Sequence, residues 1–209
     1  MLKIKGERLW ASLMAMAEVG ATARGGSCRL ALSAEDHAGR ELFSHWCKAA
    51  GLTLSVDAIG NLFARRAGTD KDAAPVMIGS HLDTQPEGGR FDGVYGVLAG
   101  LEVMRSLDDH GIQTRKPLEI AVWTNEEGAR FTPAMLGSAV FTGTLALDQA
   151  LATTDADGIS VADALRMISY HGERILDGAV DAYFEAHIEQ GPILEDNAKS
   201  IGVVNSGQA

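Results

Sequence analysis

Apolar positions recur at helical spacing near the start of the chain. Over residues 3–20, Leu9, Leu13, Met16 and Gly20 fall near one face with Trp10, Met14 and Ala17 beside it, which predicts an amphipathic helix. Arg24-Gly25-Gly26-Ser27 breaks that pattern and predicts a loop. A second helix is expected to start at Ser33, where Ser33 and Asp36 form a box-like N-terminal signal. It runs through Leu42, Phe43, Trp46 and Cys47 to a stop at Gly51. The apolar runs then shorten. Residues 52–56 and 62–65 read as strands joined by a Gly60-Asn61 turn, and 75–80, bounded by Pro75 and Gly79-Ser80, as a buried strand. A long helix is predicted over about 94–110, with Val97, Leu98, Leu101 and Met104 inward and Gly111 as its stop. Strands are expected at 118–123, 182–187 and 201–204, and a helix at 160–169.

Strands alternating with helices predict an α/β fold with a central sheet, in which functional groups gather at the carboxyl ends of strands. The composition agrees with a folded chain: 209 residues, 46% hydrophobic and 22% charged. Lys and Arg number 18 against 28 Asp and Glu, a formal charge of −10. That balance speaks against nucleic acid, which calls for a basic stripe, and against an anionic membrane surface. No apolar run is long enough for a signal peptide or a membrane span, so a cytoplasmic location is expected. Cys28 and Cys47 form neither a disulfide framework nor a CxxC pair, and read as two reduced thiols.

Three of the predicted strand ends carry polar clusters that ordinary turns do not need. They are His81-Leu82-Asp83-Thr84 leading to Arg90-Phe91-Asp92-Gly93, then Asn125-Glu126-Glu127-Gly128, then His187-Ile188-Glu189-Gln190. Imidazole and carboxylate without thiolate suit a hard-to-borderline divalent metal. Asp92, just before a helix and after a glycine-rich turn, is a candidate bridge between two ions. His81 and His187 are candidate nitrogen ligands, and Asp83 is placed to accept the other N–H of His81. Adjacent side chains at a strand end point different ways, so one of Glu126 and Glu127 can bind metal while the other serves as a proton acceptor.

Blander readings compete with these. His37, His45, His110 and His171 read as solvated or structural. For His81 and His187 the competing reading is a core histidine bonded to a carboxylate, and for Glu126-Glu127 a solvated turn. Gly93, Gly96 and Gly100 lack the dinucleotide-binding spacing and are expected to permit close helix–sheet packing. Asp155-Ala156-Asp157-Gly158 reads as a turn, because the rest of a calcium loop is missing.

Taken in order, Gly79-Ser80-His81-Leu82-Asp83-Thr84, Gly89-Arg90-Phe91-Asp92-Gly93, Asn125-Glu126-Glu127-Gly128-Ala129-Arg130-Phe131 and His187-Ile188-Glu189-Gln190-Gly191-Pro192 closely resemble the amidase/hydantoinase/carbamoylase family of di-metal aminoacylases. The resemblance runs from the first helix to about Val204. It implies a mixed central sheet flanked by helices, in a di-zinc aminopeptidase-like catalytic domain. It implies His81 and His187 as ligands of one ion, Asp92 as the bridge, Glu127 as a ligand of the second ion and Glu126 as the general base acting on the bridging water. Asp83 takes the place of the carboxylate behind the first histidine, and Gln190 that of a substrate contact. His187, where related peptidases place a carboxylate, and the short gap from Asp83 to Asp92 favour the carbamoylase branch.

The implied reaction is hydrolysis of a linear amide or ureido C–N bond with two divalent ions (Zn, Mn, Co or Ni). An N-carbamoyl-L-amino-acid hydrolase comes first, with allantoate amidohydrolase and β-ureidopropionase as alternatives. Family chains are longer. They continue into a lid that forms a homodimer contact, then return with a further metal-binding histidine, none of which residues 1–209 match. The expectation is therefore the N-terminal part of the catalytic domain, incomplete at its C-terminus, with uncovered apolar surface and a tendency to self-associate. The competing hypothesis is a catalytically silent metal-binding fragment, or a subunit that needs a separate chain.

Overall fold

The computed structural model describes residues 2–174 and 180–205. Along the chain these form α1 (Gly6–Ala17), α2 (Ala34–Ala49), β1 (Thr53–Val56), β2 (Leu62–Arg66), β3 (Val76–His81), α3 (Val94–Asp109), β4 (Leu118–Trp123), α4 (Leu136–Phe141), α5 (Leu147–Ala152), α6 (Val161–Met167), β5 (Ala182–Phe184) and α7 (Ile193–Asp196). The strands make one sheet in the order β1-β2-β4-β3-β5. β1 and β2, and β2 and β4, pair antiparallel, whereas β3 runs parallel to both β4 and β5. The fold is thus the expected mixed sheet with helices.

The parallel core is what positions the site. β3 and β4 run parallel and are joined by a helix, as a crossover requires. Because β3, β4 and β5 share one direction, their carboxyl ends lie along the same sheet edge, and the three polar clusters leave from that edge. On β4 the side chains alternate between two cores. Ile120 and Val122 join the main core with α3, while Ala121 and Trp123 pack with Phe63 and Met77 on the opposite face. That two-sided burial explains why the strand is apolar from Ile120 to Trp123.

Helix faces follow the predicted spacing. Val97, Leu98, Leu101 and Met104 of α3 are all buried. Gly100 lets α3 approach the sheet, since a Cβ there would lie 3.1 Å from Ile78 Cγ2 and 3.3 Å from Ile120 Cγ1. Ser33 caps α2 by accepting from the Asp36 N–H at 3.1 Å. The Asp36 carboxylate does more than the capping signal suggests. It accepts from the Leu32 N–H at 2.8 Å and from Arg40 Nε at 3.0 Å, and both members of this ion pair are fully buried.

Several boundaries differ from expectation. The first helix is shorter, and Trp10 points outward beside Phe91, their rings 5.7 Å apart. β5 stops at Phe184, where Glu185 turns to accept from Ser80 Oγ at 2.6 Å and from the Tyr183 hydroxyl at 2.8 Å. Residues 201–204 form no strand: their apolar side chains have no partner strand among the described residues, and Val203 is 91% exposed. Along the edge strand β5, Phe184 is 61% exposed. The short helices α4, α5 and α7 carry too few turns to show a period in the sequence.

Candidate metal centre

His81 closes β3 and is buried. Its Nδ1 lies 2.8 Å from the Asp83 carbonyl oxygen, which assigns the ring proton to Nδ1 and leaves the Nε2 lone pair facing the site. His187, beyond β5, is arranged the same way, with Nδ1 2.9 Å from the Ile188 carbonyl oxygen and Nε2 3.2 Å from Asp92 Oδ1. The two rings are 6.0 Å apart. His81, Asp92 and His187 each offer a ligand atom, and these atoms all lie within 4.8 Å of one another. Asp92 reaches this point because Gly93 takes φ +67° and passes directly under the His81 ring, where a Cβ would collide with the imidazole.

The Glu126-Glu127 turn sits beside this trio. Glu126 Oε2 is 3.4 Å from His81 Nε2. Burial lifts the Glu126 carboxyl above the usual carboxylate range; His81 opposes the rise, while Glu127 and Glu185 add to it. Burial likewise raises Asp83. For His81, burial works against the charged form, but the Asp83 and Glu126 carboxylates outweigh it and the imidazole is raised.

Glu127 stands outside the 4.8 Å trio. Its Oε2 accepts from Gln85 Nε2 at 2.7 Å, and its Oε1 is buried with no hydrogen-bond partner. An orphaned buried carboxylate oxygen on the turn that also carries Glu126 fits a cation, because leaving such an atom unpaired costs free energy. The donor set is the nitrogen and oxygen chemistry of zinc, manganese, cobalt or nickel.

One sequence expectation changes. The Asp83 carboxylate does not take the His81 proton: Oδ1 is 4.0 Å from Nδ1, and the nearer carbonyl of the same residue takes it. The carboxylate instead accepts the backbone N–H groups of Glu126 at 3.3 Å and Glu127 at 3.2 Å. Gln190, expected at the substrate, donates to Asp92 Oδ2 at 2.5 Å. Sequence reasoning also passed over Gln85 and Glu185. Gln85 follows two residues behind Asp83 in an exposed turn with no visible cue. Glu185 alternates with His187 along the chain, a period-two signal that could have marked it. The bland readings of the other histidines hold: His45 and His171 are exposed, His110 bonds the Ser106 carbonyl oxygen, and His37 packs edge-on against Tyr170.

This geometry has clear relatives. The pattern that defines the peptidase family M20/M25/M40 matches residues 77–205, and the chain belongs to that family. It is 53% identical over 207 residues to an N-carbamoyl-L-amino-acid amidohydrolase of Rhizobium meliloti, covering 99% of this chain and 50% of that protein. It is 37% identical over 188 residues to a ureidoglycolate hydrolase of Arabidopsis thaliana, covering 85% of this chain and 40% of that one. A solved hydantoinase/carbamoylase family amidase from Burkholderia ambifaria superposes with a TM-score of 0.93 at 69% identity, over 94% of this chain and 48% of the other. The chain spans about half the length of the curated relatives it matches.

Proposed function

We propose that residues 1–209 form the N-terminal part of the catalytic domain of a metal-dependent hydrolase that cleaves linear C–N bonds in N-carbamoyl-L-amino acids. The observation that carries this reading is the convergence of His81, Asp92 and His187, with Glu126 Oε2 3.4 Å from His81 Nε2. The similarity to the Rhizobium meliloti amidohydrolase supports the substrate class.

A divalent cation held there supplies Lewis acidity toward the carbonyl oxygen and toward water. The chain supplies the rest. His81 and His187 each rest Nδ1 on a carbonyl oxygen, which turns Nε2 of both rings toward the site. Asp92 adds one oxygen to the trio, and Glu127 presents the orphaned oxygen for a second ion. Glu126, with its raised proton affinity, accepts a proton from the attacking water and returns it to the departing nitrogen as the C–N bond breaks. Gln190 holds the second oxygen of Asp92 and stands where a substrate amide or carboxylate is read.

The same reading carries two ions per complete site, a homodimer and a cytoplasmic location. Among the described residues no helix is long and apolar enough to cross a membrane. A ureido substrate such as allantoate or ureidoglycolate is the second reading, supported by the Arabidopsis thaliana relative. Hydrolysis of N-carbamoyl amino acids, allantoate and ureidoglycolate in parallel, with Zn, Mn, Co and Ni, tests both. Turnover of the carbamoyl compounds alone supports the first reading and turnover of the ureido acids alone the second. Cation binding without turnover identifies a silent metal-binding fragment.

A further inference from the structure

The turn that carries Glu126 and Glu127 leaves β4 through Thr124 and Asn125. Asn125 is fully buried and its backbone lies in the left-handed region at φ 52°. Most residues resist that conformation, and asparagine tolerates it. Glycine would supply it more easily, so tolerance alone does not explain the residue. The carboxamide does. Asn125 Nδ2 donates to the carbonyl oxygens of Phe131 at 2.7 Å and Pro133 at 3.2 Å, and Oδ1 accepts from the Phe131 N–H at 3.3 Å. The main chain closes the same loop: the Met135 N–H donates to the Glu126 carbonyl oxygen at 2.7 Å and the Leu136 N–H to that of Asn125 at 3.2 Å. Residues 126–135 thus form a compact loop whose ends meet, with the Asn125 amide filling its centre.

The turn is held from two other sides. Asn61 Oδ1 accepts the Thr124 N–H at 2.9 Å, and the Asp83 carboxylate accepts the N–H groups of Glu126 and Glu127. Asn125 contributes no group to the His81, Asp92 and His187 trio, so its effect on the site passes through the backbone of its two neighbours.

From this we infer that Asn125 is a positioning residue that fixes where the Glu126 and Glu127 carboxyl groups stand, by joining a left-handed turn to the Phe131–Pro133 segment through one buried amide. The consequence for turnover rests on the hydrolase reading above; the consequence for the backbone does not. Two variants separate the parts of the role. Asn125→Gly keeps the backbone conformation and deletes the amide. Asn125→Asp keeps an oxygen for the Phe131 N–H and loses both donors.

The test is amide hydrogen exchange at Glu126 and Glu127, read beside zinc titration and steady-state kinetics on the whole chain. In Asn125→Gly, exchange at these two amides rises by about tenfold or more while the amides of β4 keep their protection. Zinc affinity at the trio stays at the wild-type value, and kcat falls by about a hundredfold with KM little changed, as expected for a displaced base. Asn125→Asp, which turns an oxygen toward the Phe131 and Pro133 carbonyl oxygens, raises exchange at the same two amides by at least as much, and either variant that folds decides. Wild-type exchange at Glu126 and Glu127 in a folded variant overturns the inference. So does loss of zinc affinity and β4 protection together, which marks a general packing role. If the wild-type chain binds zinc without turnover, it is the silent fragment described above, and the exchange result still decides the role of Asn125.

Discussion

Gly93 lies directly beneath the imidazole of His81, so close that no side chain fits between them. The contact joins the loop that delivers Asp92 to the strand end that delivers His81, and it explains why two candidate ligands from different elements share one point. Gly93→Ala must both abandon φ +67° and push the His81 ring aside. Zinc affinity, measured by calorimetric titration, is expected to fall by about ten- to a hundredfold. Wild-type affinity would show that the ring and the glycine are not coupled.

Glu126 is assigned the proton and not the cation. Glu126→Gln is expected to reduce turnover of an N-carbamoyl amino acid by at least about a hundredfold while zinc stoichiometry survives. Equal loss of both would move Glu126 into the ligand set.

Stability away from the site depends on a buried carboxylate that fastens α1 to α3. Glu102 accepts from the Lys5 N–H, from Arg8 Nε at 2.8 Å and from Ser106 Oγ at 3.0 Å. Burial opposes its charge, but the Arg8 bonds and the other donors outweigh burial and hold its carboxyl below the usual range. A lowered acid stabilises the fold above its unfolded value, about 4.3 for glutamate, and loses that contribution as pH falls through the lowered value. Glu102→Gln should therefore cost about 2 kcal/mol at neutral pH and progressively less in acid, read from denaturant melts across that range. A penalty independent of pH would contradict the charged role.

Asp36 and Arg40 form a fully buried pair, and Arg40 also donates to the Gly60 carbonyl oxygen at 2.7 Å. Removing one partner leaves an uncompensated charge in the interior. Asp36→Ala is expected to lower unfolding free energy by about 3–5 kcal/mol, and a loss below 1 kcal/mol would mean that water reaches Arg40.

Much of the centre was legible in the sequence, for a local reason. His81, Glu126-Glu127 and His187 sit where strands end, and imidazole or paired carboxylate is chemically out of place in an ordinary turn. The long helix over Val94–Asp109 was legible because its period repeats over many turns. What stayed hidden depends on tertiary distance. The His81 proton goes to the carbonyl of Asp83 and not to its carboxylate, a choice made by where the chain turns. Gln85 on Glu127 and Gln190 on Asp92 pair residues that are remote in sequence. The apolar residues at 201–204 carry strand propensity, but propensity forms no strand without a neighbour to pair with.

The central claim is that side chains 81, 92 and 187 hold one divalent cation between them. Anomalous diffraction at the zinc edge from crystals of the chain grown with zinc tests it directly. The expected result is a zinc ion at about 2.0–2.1 Å from Nε2 of both histidines, with an Asp92 oxygen completing the trio. A zinc peak elsewhere, or none at saturating zinc, would contradict it.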